Sequence, residues 1–326
     1  MIITLTANPS LDRTIELAAP LARGAVQRAT ANRQESGGKG VNVCRALSAG
    51  GADTLAILPG HDNDPVLVGL QAAGVPYRNL PIAAALRSNV TITEPDGTTT
   101  KINEPGPALN RQEADALIDL VVHLSDGARW LVLAGSLPPG LESDFYAAVV
   151  RAVRTRHGDR APLIALDASE AALIAAIEGG AAPDLLKPNA EELSQLTGLG
   201  AGDSLEDEQE LAVEAATRLL GRGVGAVLAT LGSKGALLVT AEGAWHAQHP
   251  PITAISTVGA GDSALAGYLL AHTGGAGAPD CLRQAVAHGS AAASLPGSTV
   301  PAMHQTTPDA VTVRALTPAN TSPNHP

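Results

Sequence analysis

Aromatic side chains are scarce in this chain of 326 residues, which has one Phe, two Trp and three Tyr. Its core must therefore be built from Leu, Val, Ile and Ala. Only two cysteines are present, Cys44 and Cys281, too few and too far apart in sequence for a disulfide framework or a cysteine zinc site. The nine histidines show no spacing typical of metal ligands, so we assign no histidine metal site.

Positive charge is in the minority, with 21 Lys and Arg against 32 Asp and Glu and a net charge of −11. We therefore expect neither a nucleic-acid partner nor binding to an anionic membrane, although a local basic pocket for a phosphate remains compatible with this balance. No apolar run reaches the roughly 18 residues of a membrane-spanning helix. The start of the chain lacks the charged and apolar regions of a signal peptide, so a cytoplasmic protein is expected.

Short apolar runs alternate with helical patterns as far as about Leu316. The runs 2–7, 130–133, 163–166 and 226–231 predict buried strands, and Asn110 with Glu113 predicts a capped helix start. Residues 205–220 predict one continuous helix. This alternation predicts a single α/β domain over residues 1–316, with helices on both faces of a mostly parallel sheet. Residues 317–326 are expected to form a disordered tail.

A different pattern occupies residues 89–103, where polar and apolar residues alternate on both sides of the turn Pro95-Asp96-Gly97. This is the pattern of a β-hairpin with one polar face. Such a hairpin does not fit inside a parallel sheet. We therefore expect a small lid or oligomer contact, built from about residues 13–35 and 87–105, with Arg87 at its hinge.

The segment Ser256–Gly267 reads S-T-V-G-A-G-D-S-A-L-A-G and predicts a glycine loop that opens onto a helix. Gly259 and Gly261 allow successive backbone N–H groups to converge on an anion at the helix N-terminus. Asp262 would lie beside those donors, where a carboxylate can take a proton from an alcohol, and this combination suggests phosphoryl transfer to a hydroxyl. The alternative is that Asp262 only caps the helix and the glycines only form a turn.

A second glycine loop, Ser36–Gly40, leads into a predicted helix that begins with Val41 and Asn42. It is not a Walker A motif, because no Ser or Thr follows Lys39 and the spacing differs. Lys39 and Asn42 are polar groups at the mouth of this helix. They are candidates for ligand contacts, although a solvated turn with Asn42 as a local cap is the alternative.

Small and polar clusters recur where the predicted strands end. They are Asn8–Asp12, Gly135–Ser136, Asp167, Lys187–Asn189, Thr230–Lys234 and Gly259–Asp262. The carboxyl ends of parallel strands share one edge of a sheet, which is where ligands bind, so the set predicts a site. Single members such as Asp167 can equally be helix caps. Glu191 and Glu192 can help to hold Mg²⁺ through water, or can simply favour a helix N-terminus.

The segments Gly37–Val43 and Ser256–Gly267 resemble the two signatures of the ribokinase-like, PfkB-type carbohydrate kinases. The resemblance covers about residues 1–316. Within the family it is strongest to bacterial kinases of fructose 1-phosphate and of tagatose 6-phosphate, through Thr4–Asp12, Arg87–Val90, Ala134–Gly140 and Lys187–Glu192.

The resemblance implies a three-layer α/β/α domain with a β-sheet lid that covers the sugar and mediates a homodimer. It implies ATP and Mg²⁺ as cofactors and a small sugar phosphate as the acceptor. We expect phosphorylation of D-fructose 1-phosphate at O6. The alternatives are tagatose 6-phosphate or fructose 6-phosphate as acceptor and, more remotely, a sugar-phosphate sensor without activity. A nicotinamide-dependent oxidoreductase would need a G-x-G-x-x-G fingerprint, which the chain lacks.

The resemblance also implies residue roles. Asp262 would be the base, and the N–H groups of Gly259, Ala260 and Gly261 would contact the transferring phosphoryl group. The implied sugar-binding residues are Asp12, Gly38, Lys39, Asn42, Arg87 and Ser136. Arg87 would hold the phosphate already on the substrate, and Lys39 would assist it. The implied ATP-binding residues are Lys187, Asn189, Thr230, Gly232, Gly235 and Gly261. Glu192 would contact Mg²⁺ through water.

Overall fold

The structure is a computed structural model that describes residues 1–316, so the expected tail, 317–326, lies outside the described residues. Within residues 1–316 the strands form one sheet of ten and a second sheet of four. In chain order the strands are β1 (Ile2–Thr6), β2 (Ser10–Leu17), β3 (Ala29–Gly37), β4 (Thr54–Pro59), β5 (Tyr77–Leu80), β6 (Arg87–Thr93), β7 (Thr99–Asn103), β8 (Trp130–Gly135), β9 (Leu163–Ala168), β10 (Leu185–Leu186), β11 (Ala226–Thr230), β12 (Ala236–Thr240), β13 (Gly243–Gln248) and β14 (Thr312–Leu316).

The helices longer than one turn follow the same numbering. They are α1 (Lys39–Ala49), α2 (Pro65–Ala72), α3 (Arg111–Leu124), α4 (Phe145–His157), α5 (Glu170–Glu178), α6 (Ala190–Thr197), α7 (Gly202–Asp207), α8 (Gln209–Leu220), α9 (Ala260–Thr273) and α10 (Ala278–Ala293). The predicted capping box of α3 is confirmed, because Asn110 and Glu113 each accept from the other's backbone N–H. In the described part of the chain, no helix combines the length and the apolar character needed to span a membrane.

The ten-stranded sheet is parallel from β5 to β11 and antiparallel from β11 to β14, in the order β14-β13-β12-β11-β10-β9-β8-β1-β4-β5. Side chains on successive residues alternate between two hydrophobic clusters, one on each face. Leu131 and Leu133 of β8 join the cluster under α3, α4, α6 and α8, whereas Val132 joins the cluster under α1, α9 and α10. Because both faces are covered, the strands read as continuous apolar runs. The predicted α/β class with three layers is confirmed.

The predicted single helix over 205–220 is wrong, because the structure has α7 and α8 with non-helical Glu208 between them. The acidic end of α7 is held by a distant loop. Asp207 forms an ion pair of 3.0 Å with Lys234, and Gly232 leaves room beside the Glu206 carboxylate. These contacts join residues far apart in sequence, so local periodicity does not reveal the break.

The four-stranded sheet has the order β3-β2-β6-β7, and β6 and β7 form the predicted hairpin. β2 already begins at Ser10, so Asp12 lies within this sheet and not at an end of the large sheet, as the strand-end pattern predicts. Asp12 pairs in register with Glu35 on one side and Asn89 on the other. The side chains of these three residues therefore share one face of the small sheet. Arg13, Ile15, Val90, Ile92 and Ile102 share the opposite face.

Candidate active site

Four strands of the large sheet end in polar side chains at the same edge. Ser136 follows β8, Asp167 is the next-to-last residue of β9, Lys187 follows β10 and Thr230 ends β11. These strands are parallel, so the predicted convergence of strand ends is correct for this set. The prediction that Gly259–Asp262 follows a strand is wrong, because residues 249–259 form neither strand nor helix between β13 and α9. The segment nevertheless lies at the same site, since Asp262 contacts Asn42 and Gly261 lies next to Lys187. The antiparallel β12 and β13 follow connections too short for a parallel crossover, residues 231–235 and 241–242, which is the sequence signal for antiparallel pairing.

Helices α1 and α9 both begin at glycines with positive φ, Gly38 at 105° and Gly259 at 76°. A side chain at Gly38 would collide with Thr6, since its Cβ would lie 2.7 Å from Thr6 Cγ2. The two first turns are joined by one hydrogen bond, in which Asn42 Nδ2 donates to Asp262 Oδ2 over 2.9 Å. Asp262 is buried in the first turn of α9. The helix N-terminus supplies unpaired N–H groups and partial positive charge at that position.

Next to Asp262 lies a cluster of opposite charges around Asp167, which is fully buried. Lys39 Nζ is 2.7 Å from Asp167 Oδ1, and Lys187 Nζ is 3.1 Å from Asp167 Oδ2. Lys39 Nζ is also 3.6 Å from Glu192 Oε1. The carboxylates of Asp167, Glu192 and Asp262 thus face the ammonium groups of Lys39 and Lys187, which leaves the cluster with one excess negative charge when all are ionised.

The cluster sets different proton affinities on its two buried aspartates. Burial raises the pKa of Asp262 to about 6, the charge of Asp167 adds to this effect, and Lys39, Asn42 and Lys187 oppose it. Burial also opposes ionisation of Asp167, but the charges of Lys187 and Lys39 outweigh it and hold the pKa of Asp167 below its usual value. A carboxylate with a pKa near 6 is ionised at neutral pH and still accepts a proton readily, which suits a general base.

Lys39 contacts the carboxylates of Asp167 and Glu192. Their charges and that of Asp262 overcome the effect of burial and raise the pKa of Lys39. The structure therefore orients its ammonium group toward Asp167. The sequence resemblance alone implies a contact with the sugar and its phosphate. Gly135 lies beside the Lys39 side chain, since a Cβ at this glycine would lie 3.9 Å from the Cβ of Lys39.

The residues implied for ATP lie on the β10–β11 side of the cluster. The Lys187 ammonium is next to Gly261, where a Cβ would lie 3.3 Å from Nζ. Asn189 caps α6 by accepting from Glu192 N over 2.7 Å, and Glu192 Oε2 accepts from Asn189 N over 2.9 Å. Thr230 N donates to the neighbouring Pro188 carbonyl. Gly232 and Gly235 lie in the next loop, and Gly235 has a structural reason to lack a side chain, since its Cβ would lie 2.0 Å from a backbone oxygen of β13.

The residues implied for the sugar lie at the base of the small sheet. Asp12 Oδ1 accepts from Ser10 Oγ over 2.7 Å and from Asn89 Nδ2 over 3.1 Å, and burial raises the pKa of Asp12. Arg87 donates to the Asn8 and Glu104 carbonyls over 3.1 and 3.0 Å. Asn8 Nδ2 reaches Ser136 Oγ over 3.4 Å, which connects this rim to the end of β8.

Several buried polar atoms on this rim have no hydrogen-bond partner within residues 1–316. They are Arg87 Nε, Asn8 Oδ1, Asn89 Oδ1 and Thr6 Oγ1. Buried polar groups are almost always paired in native proteins. Arg87 Nε and Asn89 Oδ1 belong to side chains at the base of the small sheet, and a polar ligand there would supply the partners that they lack.

No group of three or more His, Cys, Asp or Glu side chains within residues 1–316 is arranged to hold a metal ion. Carboxylates are nevertheless present at the cluster, and Glu192 Oε1 contacts the Lys39 ammonium. Mg²⁺ is commonly held by one or two carboxylates together with substrate phosphates and water. The donor set fits such a shared ion and does not fit an all-protein cage.

Sequence reasoning missed the central position of Asp167 and the contribution of Asn89. Asp167 has a signal, an aspartate at the end of a buried strand, but a helix cap gives the same signal. Asn89 has none, because its contact with Asp12 depends on the β2–β6 register. Glu35 and Arg45 were missed for the same reason, since they meet only in three dimensions.

Comparison with known proteins shows which family the chain resembles. The profile of the pfkB family of carbohydrate kinases matches residues 5–305. A 1-phosphofructokinase from Haloferax volcanii is 36% identical over 92% of this chain and 93% of its own length. An ATP-dependent 6-phosphofructokinase isozyme 2 from Mycobacterium tuberculosis is 34% identical over 91% of this chain and 85% of its own.

Among solved structures, phosphofructokinase-2 from Escherichia coli in complex with potassium superposes with a TM-score of 0.84. It is 31% identical and the match covers 93% of this chain and 96% of that one. The resemblance predicted from the two glycine-rich segments is thereby confirmed.

Proposed function

The chain belongs to the pfkB family of carbohydrate kinases, and from that premise we propose that it transfers the terminal phosphoryl group of ATP to the C6 hydroxyl of D-fructose 1-phosphate. The products are D-fructose 1,6-bisphosphate and ADP. The observation that carries the proposal is a buried carboxylate of raised pKa, Asp262, in the first turn of α9 beside two lysines.

Asp262 acts as the base in this proposal. It accepts the proton of the C6 hydroxyl as the new O–P bond forms and the bond from the terminal phosphorus to the bridging oxygen of ADP breaks. A pKa near 6 keeps Asp262 ionised at neutral pH, and Asn42 holds the carboxylate in place through Oδ2.

The charge that develops on the transferring phosphoryl group is matched by fixed donors. The backbone N–H groups of Gly259, Ala260 and Gly261 lie at the N-terminus of α9 and have no partner within the helix. Ala260 N makes one long contact outside the helix, 3.4 Å to the Thr257 carbonyl. Lys187 adds a full positive charge next to Gly261. These donors are held by the fold before the nucleotide arrives, so no reorganisation is needed during the reaction.

Mg²⁺ supplies charge neutralisation of the nucleotide phosphates when it is bound. Glu192 would contact it through water. Asn189 positions Glu192 through the capping box at the start of α6. Thr230, Gly232 and Gly235 would line the nucleotide on the β11 side.

Arg87 would bind the phosphate already present on the sugar. Its planar guanidinium suits phosphate oxygens, and its buried Nε has no partner within residues 1–316. Burial lowers the pKa of Arg87, so an anion would relieve the cost of keeping this charge away from water. The sugar hydroxyls between this phosphate and the reacting C6 hydroxyl would contact Asp12, Asn42, Gly38 and Ser136.

Fructose 6-phosphate is the second candidate acceptor, because relatives of similar identity carry the name 6-phosphofructokinase. Both sugar phosphates have a phosphate on one terminal carbon and a free hydroxyl on the other. They differ in which end lies next to the anomeric hydroxyl. A site with the phosphate at Arg87 and the reacting hydroxyl at Asp262 can therefore hold either sugar phosphate. The choice between them depends on the residues that contact the sugar between Arg87 and Asp262.

A panel of acceptors tests the proposal. ADP release should be measured with fructose 1-phosphate, fructose 6-phosphate, tagatose 6-phosphate and free fructose. We expect kcat/KM to be at least about tenfold higher for fructose 1-phosphate, a difference of about 1.4 kcal/mol in transition-state binding. A preference for either 6-phosphate would contradict the proposed acceptor, and absence of turnover with all four would contradict kinase activity.

We further propose a homodimer through the outer face of the small sheet. Ile15 pairs with Ile92, and Val90 pairs with Ile102, on the face opposite to Asp12. Ile102 is 57% exposed in the single chain, and an apolar sheet face of this kind favours burial against a second copy. Light scattering after gel filtration should give a dimer mass, and Ile92→Lys should give a monomer. Val68→Lys, at a half-exposed position on α2, is the matched control. A monomeric wild-type chain would contradict the proposal.

A further inference from the structure

Arg45 lies next to Asn42, on the side of the Asn42 amide opposite to the proposed base Asp262. Arg45 is on α1, three residues after Asn42, and its side chain is only 14% exposed. Its Nη1 faces three oxygen atoms, the carbonyl of Ser36 at 3.2 Å and, at 3.4 Å each, Asn42 Oδ1 and the Ser298 carbonyl. Its Nη2 lies 3.3 Å from Glu35 Oε1. The guanidinium is thus surrounded by acceptors.

The contact with Asn42 has a consequence for the orientation of its amide. An arginine only donates hydrogen bonds, whereas an asparagine amide donates from one end and accepts at the other. With Oδ1 toward Arg45, the Nδ2 group of Asn42 faces Asp262 and donates to Oδ2 over 2.9 Å. The reversed amide would set two donors against each other at Arg45 and two acceptors against each other at Asp262. Arg45 therefore selects the orientation in which Asn42 can hold the carboxylate.

Arg45 is itself held from two sides. Glu35 lies on β3 of the small sheet, and its Oε2 accepts from Ser298 N over 3.2 Å and from Ser298 Oγ over 2.9 Å. Ser298 is buried in the loop after α10. The same loop borders the phosphoryl-binding glycines, since a Cβ at Gly259 would lie 3.8 Å from Ser298 Cα. Glu35 and Ser298 thus anchor Arg45 where it meets Asn42.

We propose that Arg45 is a positioning residue for phosphoryl transfer, which orients the Asn42 amide so that Asn42 holds the Asp262 carboxylate toward the acceptor hydroxyl. Arg45 contacts neither the carboxylate nor the reacting atoms and acts through Asn42. The inference rests on the proposed function as far as Asp262 is the base, and it is independent of which sugar phosphate is the acceptor.

A double-mutant cycle isolates this route. Arg45→Met should lower kcat by about 10- to 100-fold, the scale of a small misplacement of a reacting group. The KM for ATP should change by less than about threefold, because the residues that bind ATP remain. The KM for the sugar phosphate should change less than kcat, because Arg87, Asp12 and Ser136 still bind it and only Asn42 is misoriented. In an Asn42→Ala background, the same Arg45→Met change should lower kcat by less than about twofold, because there is no amide left to orient. Radiolabelled ATP keeps slow variants measurable.

The conservative change Arg45→Lys should restore part of kcat, since it keeps the charge beside Glu35 and one donor toward Asn42. Arg151→Met is the matched control, because Arg151 is half-exposed on α4 and pairs with a surface carboxylate there; its kinetics should equal those of the wild type. If Arg45→Met does not fold, as judged by its melting curve, Glu35→Gln replaces it in the cycle. That variant should lower kcat severalfold with Asn42 present and not with Asn42→Ala.

Three outcomes would overturn the proposal. One is an equal loss of kcat from Arg45→Met, or from Glu35→Gln in its place, with and without Asn42. Another is a rise in KM at unchanged kcat, and the third is unchanged kinetics. Failure of the proposed function looks different, because the wild-type chain would then show no turnover with any acceptor of the panel.

Discussion

Replacing Asp262 by Asn should inactivate the protein and stabilise its fold. The stabilising effect follows from burial and from the neighbouring Asp167, which raise the pKa of Asp262 to about 6. In the unfolded chain an aspartate has a pKa of about 3.9. A tenfold difference in proton affinity between the two states corresponds to about 1.4 kcal/mol. Keeping Asp262 ionised at pH 8 therefore costs the folded protein on the order of 3 kcal/mol.

The direction of the pH dependence follows from the same comparison. Between about pH 4 and pH 6 the folded chain holds a proton on Asp262 that the unfolded chain has lost, so the contribution of this group to stability falls as the pH rises through that range. The amide introduced by Asp262→Asn never ionises, and the variant leaves Asp167 and Glu192 balanced by Lys39 and Lys187. We expect the free energy of unfolding to rise by about 1 to 3 kcal/mol at pH 8 and to stay nearly unchanged at pH 4. The melting temperature at pH 8 should rise by a few degrees.

Activity should move in the opposite direction. Loss of a general base lowers kcat by about 10²- to 10⁴-fold, while the KM of the sugar phosphate stays nearly constant because Arg87 and Asp12 are unchanged. In the wild-type protein kcat/KM should fall as the pH drops through about 6, where Asp262 takes up its proton.

Urea denaturation at pH 4 and pH 8, together with a coupled assay, measures both effects. Asp280→Asn is the matched control, because Asp280 also lies in the first turn of a helix, α10, but is 68% exposed. It should change neither kcat nor the pH dependence of stability. An Asp262→Asn variant less stable than the wild type at pH 8, or one that keeps more than about a tenth of kcat, would refute the reasoning.

Two further variants test the two ends of the substrate pair. Arg87→Met should raise the KM of the sugar phosphate by about 10- to 100-fold, the loss expected for hydrogen bonds to a charged group, and should leave the KM of ATP unchanged. Arg111→Met, at an 89% exposed position of α3, is the control. An unchanged KM of the sugar phosphate in Arg87→Met would exclude Arg87 from the phosphate site. Glu192→Gln should raise the Mg²⁺ concentration for half-maximal rate by about tenfold. Glu191→Gln is the control, because the Glu191 side chain contacts Gln195 on the surface of α6; equal effects of the two changes would show that Glu192 has no particular role toward the ion.

The layered α/β fold can be predicted from the sequence because the signals for its strands, helix starts and turns lie in residues close together along the chain. Buried strands such as β8 are continuous apolar runs, and the capping box of α3 is formed by two residues three positions apart, Asn110 and Glu113. The P-D-G turn likewise predicts the β6–β7 hairpin. The break between α7 and α8 at Glu208 has no such local signal, because apolar residues continue at helical spacing on both sides of it.

The same limit applies to the candidate site. Glycine loops and strand-end polar residues indicate which segments can contribute, and the structure brings Asp262, Asn42, Lys39 and Lys187 together. The partner of each charge could not be read from the sequence. Lys39 illustrates this point, because the family resemblance implies a contact with the sugar phosphate, and only the fold shows that its ammonium group contacts Asp167.

The junction between the two sheets has a mechanical consequence. β3 ends at Gly37 and α1 begins at Lys39, so a single residue, Gly38, joins the small sheet to the helix that carries Asn42. Any rotation of the small sheet must be taken up in the torsion angles of Gly38 or be passed on to the first turn of α1. A side chain at Gly38 would meet Thr6 and the Pro9 backbone, so no other residue fits there. Movement of the small sheet is therefore coupled, through Gly38, to the helix turn that carries Asn42 next to the proposed base.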